Sequence, residues 1–476
     1  MKTLFVIPSQ KSVYGIKMRP AYPHYGALYV CAMLEKHHHD VEYVDMDIDG
    51  MSIGSLLDHI AQSGPQVIGL SCVTPIVREG FKIADAIKNR FSSIYIVMGG
   101  VHATIDPDNT IAKPGIDAVC IGEGEHTMRD LVDVLQHNGD MKSVKGIYFK
   151  NNGKVYKNPP REVEKNLDNL PFPAFHLIKD PGKYCPPDAQ KLPAFPIITS
   201  RGCHGRCTYC CTKQILGQRF RMRSTENILE ELDVFVNRYG AKEAHFLDDN
   251  LSANKKRFLG LCHDLKMRNY PLNFETSNGI RADSADEETL NALKDIGINN
   301  IGFGVESGND NILKVIKKGI TKDQVRKAMK LAKDLKFTTW GFFVIGFYKD
   351  TSKTIQDTLD FSIELDPDFA KYFILKPYPG SEIFEQLHGE GLIDSLDYSK
   401  YGLYTNPVHH LPDLSAHALI KWQKKAYRKF YLRPGKIFGL IVRIGSWTQL
   451  KLAVNGGWLV LSRILKSSKP QPAAAR

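Results

Sequence analysis

Short apolar runs and helical patterns alternate twice along this chain, and that alternation confines it to parallel α/β architectures. In residues 1–140 the spacing predicts strands at Thr3–Ile7, Val41–Asp45, Gln66–Ser71, Ile94–Met98 and Asp117–Ile121. Helices fall between them near 26–36, 54–62, 78–90 and 125–137. A doubly wound parallel sheet follows, with its ligand edge at the carboxyl ends of the strands. A second series begins at 194, with strands at Phe195–Ser200, Glu243–Leu247, Leu272–Thr276, Asn300–Val305, Thr338–Val344 and Phe369–Leu375. Helical patterns such as Thr225–Tyr239 and Lys322–Leu335 lie between these strands. Six βα units suit an incomplete (β/α)6 barrel better than a second open sheet, although periodicity alone does not separate the two. Residues 141–193, interrupted by Pro159, Pro160, Pro171, Pro173, Pro181, Pro186, Pro187 and Pro193, read as a linker. The expected division is therefore 1–140, linker 141–193, barrel 194–390 and a helical carboxyl-terminal region 391–476.

Charge is unevenly placed. Of the net +11, residues 421–476 contribute 13 Lys and Arg with no Asp or Glu, so the rest of the chain is near −2. A basic tail on a nearly neutral body argues against a nucleic-acid groove. The apolar start is cut short by Pro8 and reads as a strand, and no run of about 18 apolar residues occurs, so the body is expected in the cytoplasm. In 421–466 the basic residues interleave with Trp422, Tyr427, Phe430, Phe438 and Trp447. That pattern fits either a helix lying peripherally at the inner membrane face or a helical lid against the barrel. On the membrane reading the substrate is a lipid or another hydrophobic molecule.

The nine cysteines are scattered except for Cys203, Cys207, Cys210 and Cys211. Cys203, Cys207 and Cys210 follow a predicted strand directly, where barrel active sites lie. Three thiolates can hold three irons of a 4Fe-4S cube and leave the fourth open. Zinc would want a fourth ligand, and Cys211 and His204 are near, but adjacent cysteines rarely share one ion and no second cysteine pair follows. Near other predicted strand ends, Asp248, Asp249 and Glu306 offer hydrogen-bond acceptors and Arg281 offers a donor. The alternative reading makes the aspartates helix caps and pairs Glu306 with a lysine.

The Cys-x3-Cys-x-aromatic-Cys spacing, with Tyr209 before the last cysteine, resembles the radical S-adenosylmethionine superfamily, and the resemblance covers most of 194–385. It continues through Asp248-Asp249-Asn250, the stretch from Glu275 to Arg281, Gly304-Val305-Glu306-Ser307-Gly308 and Pro377-Tyr378-Pro379-Gly380. It implies that S-adenosylmethionine chelates the open iron and is split to a 5′-deoxyadenosyl radical. Asp248, Asp249, Asn278, Arg281, Glu306 and Ser307 would then line the cofactor. One departure is Phe347-Tyr348-Lys349-Asp350, where the family often has a proline and a glycine.

Residues 1–140 resemble the cobalamin-binding domain that precedes the barrel in one branch of that superfamily. The matching pieces are Pro23 to Leu28, Gly69 to Thr74, Gly99 to Thr104 and Gly122 to Glu125. Ser71, Thr74, Gly99, Gly100, His102, Gly122, Glu123, Gly124 and Glu125 are the expected cobalamin contacts. No Asp-x-His-x-x-Gly loop is present, so base-off binding without a histidine ligand is expected, with His102 the nearest substitute or else a loop hydrogen-bonder. No Gly-x-Gly-x-x-Gly fingerprint follows the first strand, which ranks a dinucleotide low.

The resemblance implies a methylase-type enzyme that abstracts hydrogen from an unactivated carbon and delivers a methyl group from cobalamin. A low-potential donor such as ferredoxin or flavodoxin would reduce the cluster. The alternative enzyme reading is a cobalamin-assisted oxidation, cyclisation or rearrangement without methylation. An iron–sulfur electron carrier would have no need of six barrel units. No catalytic side chain is assigned from sequence.

Overall fold

Five parallel strands, β1 (Lys2–Ile7), β2 (Asp40–Asp45), β3 (Val67–Ser71), β4 (Tyr95–Gly99) and β5 (Ala118–Cys120), form the amino-terminal sheet in the spatial order β2-β1-β3-β4-β5. They are seen in a computed structural model that describes residues 1–14 and 19–442. β3 is buried along its whole length, as expected where helices cover both faces of a parallel sheet. Helices Ile53–Ser63 and Val77–Arg90 pack on one face, and Tyr25–Lys36 and Glu125–Gln136 on the other. Their ends are chemically marked: Ser52 caps the first of them through a reciprocal bond with Ser55, and Gly64 ends it at φ 61°.

The stretch read as a linker differs from expectation. Its first part is a hairpin, β6 (Ile147–Asn151) and β7 (Lys154–Lys157), which adds two antiparallel strands to β5. Further on, short turns between the prolines carry Leu167, Leu170, Phe175 and Tyr184 into the interior. Phe175 lies 5.8 Å from Tyr25, 5.2 Å from Phe195 and 5.3 Å from Phe235, centroid to centroid. One apolar core thus runs from the sheet into the barrel. Prolines forbid long elements, but they do not forbid burial.

The second series begins with β8 (Ala194–Ile197) and a two-stranded ribbon, β9 (Ser200–Arg201) and β10 (Arg221–Met222). β11 (Glu243–Phe246), β12 (Asn273–Thr276), β13 (Asn300–Glu306), β14 (Thr338–Ile345) and β15 (Phe369–Ile374) follow. They make two parallel ladders, β8-β11-β12 and β13-β14-β15, joined by a bridge between Ile280 and Phe303. The join needs Gly279, whose φ is 69° and where a Cβ would stand 2.3 Å from the Gly302 carbonyl oxygen. β8 and β15 are not paired with each other among the described residues, so the six strands form an open barrel.

The free edge of that barrel is covered by helix Ala416–Tyr431. The Ala370 amide donates to the Tyr431 hydroxyl at 2.9 Å, the Tyr431 hydroxyl donates to the Ala370 carbonyl, and the Tyr372 amide donates to the Tyr427 hydroxyl at 3.3 Å. Up to Tyr431 the basic tail is thus a lid docked on the barrel. Leu432, Ile437 and Phe438 beyond it are exposed, and the rest of the tail, from 443, lies outside the described residues. No helix among the described residues is long and apolar enough to cross a membrane.

Candidate functional site

The cysteine loop is built on a strand end that buried polar groups hold in place. Asp248, two residues past β11, accepts from the Thr199 hydroxyl at 2.7 Å, the Ser200 hydroxyl at 2.5 Å and the Thr199 amide at 3.2 Å. Burial raises its carboxyl above the usual range, with the two hydroxyls opposing. It ties the start of β9 to the end of β11 and is only 3 % exposed. Gly202 follows at φ 89°, where a Cβ would meet the Arg219 carbonyl at 2.6 Å. The chain can therefore turn sharply into Cys203.

The three thiols then spread out. Cys203 Sγ accepts from the Gly205 amide at 3.3 Å and lies 3.8 Å from Asn250 Nδ2. A Cβ on Gly205 would stand 3.3 Å from Cys203 Sγ and 3.7 Å from Cys207 Sγ, so this glycine is the floor between two ligands. The Cys210 thiol lies 3.3 Å from Thr212 Oγ1, which donates to Asp249 at 3.3 Å. No three His, Cys, Asp or Glu side chains among the described residues converge on one ion position. Thiolates on separate corners of a cube have no need to converge, and with Gly205 leaving space between them this donor set fits a cubane.

Glu306 and Arg281 border the same loop. Glu306, at φ 63° and nearly buried, pairs with Lys318 at 2.8 Å, and Lys318 Nζ lies 3.4 Å from the Tyr209 hydroxyl. Burial works against the Lys318 charge, but Glu306 and Cys207 outweigh it. Arg281 is held by Asp283 at 2.8 Å, donates to the Lys318 carbonyl at 3.2 Å and brings one guanidinium nitrogen to 3.8 Å from the Cβ position of Gly205. Its charge is opposed by burial and sustained by Asp283 and by the Cys207 and Cys203 sulfurs. The structure thus brings Cys203, Cys207, Cys210, Asp249, Arg281 and Glu306 together.

Three expected contacts serve the scaffold. Asp248 is spent on Thr199 and Ser200. Ser307 is buried against the Thr358 hydroxyl at 3.2 Å, and Asn278 donates to the carbonyls of Leu247 and Asp248 at 2.9 and 3.2 Å. Sequence reasoning assigned no role to Asn250, although the Asp-Asp-Asn run flagged it; Lys318 is the lysine with which the alternative reading paired Glu306.

At the amino-terminal edge, Glu123 and Glu125 do not stand free for a cofactor. Arg201 of β9 binds Glu125 at 2.6 Å and Glu123 at 3.3 Å, and Arg221 of β10 binds Glu123 at 2.6 Å. All four side chains are buried or nearly so, and the Arg201 guanidinium lies 4.9 Å over the Tyr29 ring. Burial opposes the Arg201 charge, but Glu125 and Glu123 overcome it. The turn read as a cobalamin contact is a clamp on the ribbon that leads into the cysteine loop. Two free carboxylates beside a turn carry the same sequence signature as two paired ones, so the pattern alone does not reveal the pairing.

His102 is likewise enclosed. It is 1 % exposed, 3.4 Å from Thr74 Oγ1 and 4.8 Å from the Tyr398 ring, and burial lowers its pKa to about 4. Ser71 Oγ lies 3.3 Å from His24 Nδ1. The glycines keep their expected place. A Cβ on Gly100, at φ 90°, would meet the Cys72 carbonyl at 2.9 Å, whereas Gly122, at φ 76°, has open space before it. An edge of close-set backbone with open space in front fits a broad ligand such as cobalamin.

Residues 197–362 match the radical SAM superfamily and residues 11–132 match the B12 binding domain. An uncharacterized methyltransferase of Pyrococcus horikoshii is 33 % identical over 91 % of this chain and 93 % of its own. An anaerobic magnesium-protoporphyrin IX monomethyl ester cyclase of Rubrivivax gelatinosus is 25 % identical over 91 % of this chain and 78 % of its own. The structure of the cobalamin-dependent S-adenosylmethionine radical enzyme OxsB, with aqua-cobalamin and S-adenosylmethionine bound, superposes with a TM-score of 0.75 at 20 % identity, covering 97 % of this chain and 71 % of that one.

Proposed function

Since the chain belongs to the radical SAM superfamily, in the branch that carries a B12-binding domain before the barrel, we propose that it methylates an unactivated carbon of a hydrophobic substrate. It is a cobalamin-dependent radical enzyme that uses a 4Fe-4S cluster and S-adenosylmethionine, with methyltransferases and cyclases among its relatives. When bound, the reduced cluster with S-adenosylmethionine supplies a 5′-deoxyadenosyl radical, and cobalamin supplies a methyl group.

The protein's own part is to hold and position. Cys203, Cys207 and Cys210 would hold the cluster. Arg281, beside those sulfurs, would receive the S-adenosylmethionine carboxylate, and Glu306 and Asp249 its amine or ribose. The glycine turns at Gly99-Gly100 and Gly122 would admit the cobalamin ring. The Arg201 and Arg221 clamp fixes the ribbon that leads into the cysteine loop against that edge, which would hold the two cofactors at a fixed separation. The observation that carries the reading is that clamp: buried ion pairs tie the cobalamin edge to the ribbon that leads into the cysteine loop.

The second reading, cyclisation or oxidation without methyl transfer, is favoured by the likeness to the cyclase. Anaerobic reconstitution with cobalamin, S-adenosylmethionine and a one-electron reductant separates the two. Formation of S-adenosylhomocysteine together with 5′-deoxyadenosine supports methylation, and 5′-deoxyadenosine alone supports the second reading. Intact S-adenosylmethionine with a reduced cluster overturns both.

A further inference from the structure

The inner face of the last two barrel strands is only partly buried. Along β14, Thr339, Gly341, Phe343 and Ile345 are buried, whereas the alternate residues Trp340, Phe342 and Val344 are half-exposed, and β15 repeats the pattern with Phe369, Lys371 and Phe373. The buried set faces the helices, as the 5.3 Å contact of Tyr372 with Tyr427 shows, so the half-exposed set faces inward. A packed barrel would bury that inner layer completely.

The inner charged groups divide into those with partners and one without. Glu243 takes the amides of Gln190 and Lys191 at 2.9 and 2.6 Å and the His245 ring at 2.8 Å. Asp188 takes the Ser277 hydroxyl at 2.8 Å, and Glu275 takes the Asn300 amide group at 3.1 Å. Lys371 has neither a hydrogen bond nor an ion pair among the described residues; its Nζ lies 4.9 Å from the Trp340 ring centroid and 5.6 Å from that of Phe342. Burial lowers its pKa below the usual lysine value, and Asp188 opposes that shift from a distance. An ammonium framed by aromatic faces keeps its remaining N–H donors for an acceptor that comes from outside the chain.

We propose that Lys371 binds the head group of the substrate, a carboxylate or a phosphate carried on an apolar body. Register gives the direction. Lys371 pairs with Phe342, and one step toward the carboxyl ends Phe373 pairs with Val344. An apolar chain running up from the head passes these two residues on its way to the cysteine loop. The proposal names the substrate class for the function proposed above and rests on that reading.

The test uses the full, cluster-loaded chain and calorimetry with decanoate, decyl phosphate and decanol. The expected result is that at least one anionic probe binds about tenfold or more tightly than the alcohol, as for a desolvated charge-assisted bond. The tighter of the two anions identifies the head. K371M is expected to bring that anion down to the alcohol, whereas K371R retains most of the preference; should K371M fail to melt like the parent, K371Q replaces it. Binding of the anions that is absent, equal to that of the alcohol, or unchanged on loss of Lys371 overturns the proposal, and the last outcome assigns the binding to the basic tail. S-adenosylmethionine cleavage is followed in parallel. A chain that binds the anion but never cleaves breaks the functional reading alone, and one that cleaves without binding breaks only this inference.

Discussion

At the carboxyl edge of the amino-terminal sheet the chain offers backbone: Gly100 pressed onto Cys72, Gly122 before open space, and side chains such as His102, Glu123 and Glu125 already committed to neighbours. The corresponding edge of the barrel offers side chains: three thiols, Arg281, and Glu306 with Lys318. Both edges come from the same βα alternation. A broad, rigid ring is accommodated by clearing space and keeping the walls smooth, whereas a cluster and a zwitterion need ligating atoms at fixed points. The same topology therefore yields a site of absences in one domain and a site of functional groups in the other.

The sharpest break of that contrast lies in the cysteines. Serine at Cys203, Cys207 or Cys210 should abolish the cluster's visible absorption and S-adenosylmethionine cleavage, while cobalamin binding, which belongs to the other edge, persists; loss of both cofactors together would erase the distinction. Next in size is the clamp that joins the edges. R201M leaves Glu125 and Glu123 short of a buried partner, and such uncompensated charge costs about 3–5 kcal/mol. Its melting temperature should fall, and both cofactors should be held less firmly.

A smaller effect is expected at Gly100. G100A forces a Cβ against the Cys72 backbone at a positive φ, a strain of about 1–3 kcal/mol. Cobalamin affinity should drop with the cluster spectrum unchanged, and an equal loss of cluster would blur the two edges. The last concerns pH and the barrel interior, away from both cofactor edges. Burial raises Glu275 to about 7, above its unfolded value of roughly 4.3. The folded chain thus holds an extra proton between those values and loses stability as pH rises through them. E275Q should flatten the fall in melting temperature between pH 5 and 8; an unaltered slope would place the titration elsewhere.

Much of this was legible in the residues because periodicity and spacing are local properties. The parallel strands of both series lie within a few residues of their expected limits, and the cysteine loop follows the short strand β9 just past β8. The hairpin β6–β7 escaped because Ile147–Asn151 alternates too briefly to stand out among the prolines and polar residues around it. Site residues were harder. A buried Asp248 and an exposed Asp249 are neighbours in sequence, and only the fold shows that the first accepts from Thr199 and Ser200 and the second from Thr212 beside Cys210. Glu123 and Glu125 owe their role to Arg201 and Arg221, dozens of positions away, and no local pattern encodes a partner at that distance. Lys371 shows the converse: only the fold reveals that it meets aromatic rings and has no hydrogen-bond or ion-pair partner among the described residues.

Phe175 bears on how the molecule can be dissected. Its ring touches the amino-terminal domain at Tyr25 and the barrel at Phe195 and Phe235, from a segment that belongs to neither. Cutting the chain at 140 and 194 would strip this wedge from both pieces and open their shared interior to water. Neither half is then an independent folding module, and heat or denaturant should dismantle the two cofactor domains in a single cooperative event.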